Sequence, residues 1–310
     1  MNSSRNGRST GLWLVAALVS IASLTPLKQD LSAGSVSVPV AVDSTRVPWD
    51  PDTLMGRSGK LRMLLVSSNR DAEMNVLIDL FGDSTAGLPG LYTANDSGPG
   101  QRFHLVNLIP FSAKRKGLLG PYRLGYWPAE QGTVHSARYG NPEGFIEVTP
   151  GNQDTPISEH FRLRDFLTKD QARVWPKYLV LDETLVDKLE LLIDELAAGG
   201  LPVSRMSVMS GFRTPQYNRQ GVGAGGRSAV SRHQYGDAAD VFVDNDGNGH
   251  MDDLTGDGRV NTQDARFLAQ AVERVERQHP ELVGGVGIYP ATDAHGPFVH
   301  VDVRGVRARW

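Results

Sequence analysis

Cysteine is absent from this 310-residue chain. Its absence excludes disulfides, thiolate nucleophiles, cysteine-ligated zinc and a lipid anchor attached through an N-terminal cysteine. A surplus of positive charge is lacking too: 32 Lys and Arg stand against 35 Asp and Glu, a formal net charge of −3. Nothing in that balance favours a nucleic-acid partner. Long apolar runs are missing, with one exception near the N-terminus. Arg5 and Arg8 precede the apolar stretch 11–27, GLWLVAALVSIASLTPL. Charge followed by a short apolar core is the anatomy of an export signal, and the stretch is shorter than the about 20 apolar residues of a spanning helix. Residues 1–35 are therefore expected to form a signal peptide or N-terminal membrane anchor plus linker. The remainder would lie in the periplasm or cell envelope.

What the chain has in quantity is glycine and proline, 34 and 18 residues, within a composition 40% hydrophobic and 22% charged. That is a globular composition with many turns. Over residues 36–150 short apolar runs such as KLRMLLVS, RFHLVNLIPF and GFIEVTP alternate with Gly, Pro, Asn and Asp. They predict a small β-rich domain with one helix over residues 72–81. His104 and His135 fall there without acidic or His neighbours at ligand spacing, and read as packing or surface residues. The segment GNQDTP at 151–156 breaks the composition and marks the expected domain boundary. Beyond it, Leu185, Leu189, Leu192 and Leu196, widened by Val186 and Ile193, form one stripe of a helix over 183–198. Asp182 can cap its start, and Gly199-Gly200 permits a left-handed stop. MSVMS at 206–210 would be a strand that delivers Arg213 at its end. The expected class is α+β: a central antiparallel sheet with flanking helices in residues 151–310, preceded by the β-rich domain.

The chemistry gathers in residues 210–240. Arg213 precedes a rigid Thr-Pro turn, and its planar fork could hold a carboxylate or a developing oxyanion in two hydrogen bonds. The glycine-rich run at 221–226 lacks the Lys-Ser/Thr ending of a P-loop and reads as a flexible rim. His233 and Asp240 then flank Gly236, Ala238 and Ala239, small residues that allow close backbone approach. Near the far end, FVHVD at 298–302 alternates, so that Val299, Val301 and Val303 face one side and Phe298, His300 and Asp302 the other. His233, Asp240 and His300 make an N₂O set that suits zinc and leaves a fourth position for water, as in catalytic sites.

These blocks, SRHQYGDAAD at 231–240, SGFRT at 210–214 and FVHVD at 298–302, resemble the zinc D-Ala-D-Ala carboxypeptidase family, which includes murein endopeptidases and shares its fold with the hedgehog signalling domain. Its pattern, S-x-H-x-x-G-x-A-x-D with an Arg before it and a distant His after it, is matched by Ser231, His233, Gly236, Ala238, Asp240, Arg213 and His300. The resemblance spans roughly residues 155–310. It implies zinc on His233, Asp240 and His300, Arg213 and Ser231 beside the substrate, and hydrolysis of peptidoglycan stem peptides by a D,D-carboxypeptidase or endopeptidase. Family members carry an acidic residue or a His shortly before the last ligand as general base. Here Asp293 and His295 occupy that window, and Asp302 is the preferred base or orienting partner of His300, with ligation by Asp302 a further reading. A catalytically silent cell-wall or calcium-dependent binding module on the same fold is the alternative.

An acidic insertion at 244–264 separates the two metal blocks. Asp253, Thr255, Asp257, Arg259, Asn261 and Asp264 fall at positions 1, 3, 5, 7, 9 and 12 of an EF-hand loop with Gly258 at 6, and resemble half of a dockerin repeat. A helix over 265–277 would follow. Asp244, Asp246, Asn248 and Asp252 form an overlapping loop without an acid at its twelfth position. The Asp253 loop is expected to hold calcium and the Asp244 loop to be a weaker or shared site.

Overall fold

The computed structural model describes residues 40–41, 55–95, 102–133, 136–223 and 226–310. The expected export segment and His135 lie outside them. Among the described residues no helix is long and apolar enough to cross a membrane.

Along the chain the elements are β1 (Val40–Ala41), β2 (Leu64–Val66), α1 (Asp71–Phe81), α2 (Asp83–Ala86), β3 (Gly90–Asn95), β4 (Arg102–Asn107), β5 (Ile109–Pro110), β6 (Leu118–Leu119), β7 (Tyr122–Arg123), β8 (Gly144–Val148) and β9 (Lys177–Leu179). There follow α3 (Glu183–Ala198), β10 (Met206–Ser210), α4 (Pro215–Arg219), β11 (Ala238–Val243), α5 (Thr262–Gln278), β12 (Gly285–Tyr289), β13 (Phe298–Asp302) and β14 (Ala308–Arg309). The protein is α+β, and its largest sheet has five strands in the order β10-β11-β13-β12-β14. Every pairing in it is antiparallel except that of β12 with β14.

The expected helices form where periodicity places them. Asp182 accepts the Thr184 N–H at 2.8 Å to start α3, and the leucine stripe with Val186 and Ile193 is buried. The left-handed stop falls on Gly200. α5 packs against α3 and lies on β12 and β13, so Val299 and Val301 are fully buried beneath it.

The composition break at 151–156 does not separate one core from another. Residues 33–310 form one compact unit. Strand β8, from the expected N-terminal domain, pairs with β9 from beyond the break, Ile146 opposite Leu179. In β2 the period-2 alternation explains the join: Leu64 and Val66 face a small core with Leu77, Leu80 and Phe103, while Leu65 faces the main core that runs on to Val301. A strand buried on both faces ties the two halves together.

Candidate metal centre and its cleft

Strands β11 and β13 are neighbours, and their register sets Asp240 directly opposite His300. His233 arrives from a 3₁₀ turn, Arg232–Tyr235, that leads into β11. Gly236 makes that approach feasible. It sits at φ +72°, and a Cβ there would collide with the Val180 carbonyl. The result is a tight triangle: His233 Nε2 to His300 Nδ1 3.1 Å, His300 Nδ1 to Asp240 Oδ1 3.0 Å, and His233 Nε2 to Asp240 Oδ1 3.2 Å.

The protons on the two imidazoles are assigned by their outer partners. His233 Nδ1 lies 2.7 Å from the Gly211 carbonyl and must donate to it. His300 Nε2 lies 3.0 Å from Asp302 Oδ2 and donates there. Each ring therefore turns a lone pair inward, beside a carboxylate oxygen. Three acceptors converge with no proton among them, in a site where all three residues are buried. Such an arrangement is unfavourable in itself and is satisfied by a cation. Its edges also match the about 3.3 Å that separates donors bound tetrahedrally at about 2.0–2.1 Å. The donor set thus fits zinc.

The electrostatics of His233 and Asp240 run the same way, whereas the two carboxylates around His300 favour its protonated form. Burial pushes the His233 pKa down, which favours the neutral, ligating form. Burial alone would raise Asp240, but the two imidazoles hold it well below the ordinary carboxylate range. Burial acts to lower His300, and hydrogen bonds to Asp240 and Asp302 overcome it and raise the pKa. Asp302 is itself held well below the usual range: the cost of its burial is outweighed by His300 and Arg304.

These contacts revise several expected roles. Asp302 is completely buried; it accepts Gly285 N–H at 2.7 Å and Arg304 Nε at 2.9 Å besides His300. It orients the His300 ring from behind, and is placed neither to ligate with the triangle nor to reach a substrate as general base. Arg213 is also committed. Its Nη2 pairs with Asp240 Oδ2 and its Nε donates to Ser210 Oγ at 2.8 Å, so one edge of the fork braces the Asp240 carboxylate.

The triangle opens on a cleft of about 820 Å³. Ser231 and His295 line it as expected, and Asp293 does not. His295 is half-buried, its Nδ1 2.8 Å from the Gly296 carbonyl and its ring edge-on to Phe298 at 5.0 Å between centroids. Among the described residues, Asp240 is the one carboxylate of the lining. The sequence reading missed several wall residues: Arg227, Tyr289, Trp310 and Arg304. Trp310 Nε1 donates to Tyr289 Oη at 2.7 Å, and the indole lies 5.2 Å from the His300 ring. The only sequence signal for that wall was the run VRGVRARW, an arginine and an aromatic within reach of the last ligand.

Behind the site lies a second missed feature. Lys188 of α3 is fully buried and donates to Glu276 at 2.7 Å and to the Asp302 carbonyl at 2.8 Å. Glu276 also accepts Gly284 N–H at 3.0 Å. This buried network pins the end of β13 and the start of β12, the two segments that hold Asp302.

The two acidic loops differ in how their carboxylates are gathered. Asp244, Asp246 and Asp252 bring their carboxylates within 4.8 Å of one another. Asp253, Asp257 and Asp264 form no such group. Asp264 closes the loop on itself, accepting Leu254 N–H at 2.9 Å, Thr255 N–H and Oγ1–H at 3.1 Å and Asn261 N–H at 2.8 Å, the last within the capping box of α5. Asp253 folds onto the backbone N–H groups of Gly256 and Gly258.

No family model matches the chain, and no curated protein matches it. Among solved structures, it is similar to the L-Ala D-Glu endopeptidase ChiX of Serratia marcescens, with 26% identity and a TM-score of 0.27, over 41% of this chain and 85% of that one.

Proposed function

We propose that this chain is an exported zinc metallopeptidase that hydrolyses peptidoglycan stem peptides or cross-links, as a D,D-carboxypeptidase or an endopeptidase. The observation that carries the reading is the buried triangle of His233 Nε2, His300 Nδ1 and Asp240 Oδ1, three inward acceptors with no donor, at the floor of an open cleft. The peptidoglycan substrate rests on the sequence resemblance at 210–214, 231–240 and 298–302. Bound zinc would supply a Lewis acid and an activated water near neutral pH.

The chain's own groups do the rest. Gly211 and Asp302 fix the tautomers of the two imidazoles, and Arg213 fixes the Asp240 carboxylate. His295 would be the group that moves the proton: with Nδ1–H donated to Gly296, its Nε2 is left without a partner on the cleft. Ser231 borders the cleft, and its hydroxyl caps no helix, which leaves it for substrate. Calcium on Asp244, Asp246 and Asp252 would rigidify the segment that leaves β11, with Asn248 and the Asp253 loop as subsidiary groups.

The rival reading is a silent binding module, and the absence, among the described residues, of any lining carboxylate besides Asp240 favours it. Metal analysis of the purified protein, combined with muropeptide profiles from sacculi treated with wild type and His233→Ala, decides between them. The peptidase reading expects zinc near one equivalent and products from wild type alone. Identical profiles from both proteins, or none from zinc-loaded wild type, would refute it.

A further inference from the structure

The cleft is rich in cations, but most of them are spent. Arg213 is paired with Asp240, Arg232 with Asp237 and Arg304 with Asp302. Lys169 is exposed at the rim and also has no ion pair among the described residues; Arg227 is set apart by how it is held. Among the described residues no carboxylate pairs with it, although it lines the same cleft as the metal-ligating triangle. It is not a loose surface side chain either. Its guanidinium lies over the Tyr217 ring at 4.3 Å, its Nη1 donates to the Tyr217 carbonyl at 2.8 Å, and its own N–H bonds the Gly221 carbonyl at 2.9 Å. The stem runs so close to Gly221 that a Cβ there would lie 2.6 Å from Arg227 Nε. Arg227 is also near enough to Arg213 for the two charges to oppose each other.

A guanidinium held in place by stacking and one backbone bond, with its other donors unpaired and a like charge nearby, is costly unless an anion completes it. We infer that Arg227 is the substrate anchor of this cleft and binds a free carboxylate of the peptide. The inference rests on the peptidase reading for the class of ligand, since a stem peptide carries carboxylates at its C-terminus and on D-Glu. Gly226 ends the glycine-rich run, and Arg227 follows it directly.

The test uses full-length zinc-loaded protein and the stem pentapeptide L-Ala-γ-D-Glu-L-Lys-D-Ala-D-Ala in three forms: unmodified, amidated at the C-terminus, and amidated on the D-Glu α-carboxylate. Calorimetric titration gives affinity, and turnover gives KM and kcat separately. Arg227→Ala should weaken binding of the unmodified peptide on the order of 10- to 100-fold, mainly in KM. One amidated form should bind wild type as weakly as it binds Arg227→Ala, which identifies the carboxylate, and Arg227→Lys should recover some of the loss. Equal weakening of all three forms, no change in any, or no binding by wild type would overturn the inference. Sacculus digestion separates it from the broader reading. Digestion without any dependence on Arg227 sinks the anchor alone, whereas Arg227-dependent binding without digestion sinks the peptidase and leaves a carboxylate-binding site.

Discussion

Asp302→Asn is the most demanding test of the metal centre, because it removes one charge and turns one acceptor into a donor with almost no change of volume. In the native site Asp302 Oδ1 accepts Gly285 N–H at 2.7 Å and Arg304 N–H at 3.1 Å, while Oδ2 accepts His300 Nε2–H at 3.0 Å and the Arg304 guanidinium, whose Nε lies at 2.9 Å. An asparagine would keep its oxygen on the two backbone donors, since those cannot be reversed. Its NH₂ would then face His300 Nε2. Two donors cannot share that contact, so the imidazole must carry its proton on Nδ1, the atom that points into the triangle. Tautomer and ligand charge support are lost together. Removing such an outer partner costs about 10- to 100-fold in metal affinity, which is roughly 1.4–2.7 kcal/mol. Competition with a fluorescent zinc chelator measures it, and circular dichroism of both metal-free proteins shows whether the fold survives. Arg304→Met is the control: it leaves the carboxylate in place and should shift affinity by a much smaller factor. A folded Asp302→Asn protein that binds zinc within about twofold of wild type would refute the assignment of tautomers, and with it the placement of Asp302 behind His300.

Other expectations follow from single contacts. His295→Gln should lower kcat on the order of 10²- to 10⁴-fold while zinc content stays at the wild-type level, as read by metal analysis beside turnover. Gly236→Ala combines a left-handed backbone with a collision against Val180, and should cost about 2–4 kcal/mol, visible as a fall of roughly 5–10 °C in Tm. Calcium at about 100 times its Kd should stabilise the protein by about 2.7 kcal/mol. Asp244→Asn should abolish that rise in Tm and Asp253→Asn should leave most of it; the reverse order would restore the rank that the sequence spacing suggests.

How far the sequence carried depends on how local each signal was. The helix α3 was legible because six apolar residues repeat along one stripe, and the ligands were legible because His233 and Asp240 share a short block that demands small residues between them. Asp302 stayed open between base and orienting partner of His300 for a physical reason. Alternation in β13 says which face a side chain occupies, but not that β12 and Arg304 cover that face. Nothing local marks Lys188, since Glu276, its partner, lies 88 residues away and only packing of α3 on α5 brings them together. The domain boundary failed similarly: β2 reads as one short apolar run, and nothing local shows that its two faces serve different cores. In the acidic insertion, Asp264 satisfied two patterns at once, the twelfth position of a calcium loop and the third residue of a helix behind an Asn cap. The helix took it, and the Asn261-x-x-Asp264 spacing was the available clue.

The two imidazoles that converge to 3.1 Å are 67 positions apart along the chain. Closing a loop of that length costs about 4 kcal/mol in chain entropy before any contact rewards it. Zinc can therefore not nucleate this fold as it nucleates a small finger domain. The site exists only after β11 and β13 have paired, so the ion enters late on the folding path. Its stabilisation then belongs to the finished state and not to the transition state, and it slows unfolding while leaving the rate of folding nearly untouched. For the exported peptidase proposed above, the metal would act as a latch on lifetime as well as a reagent.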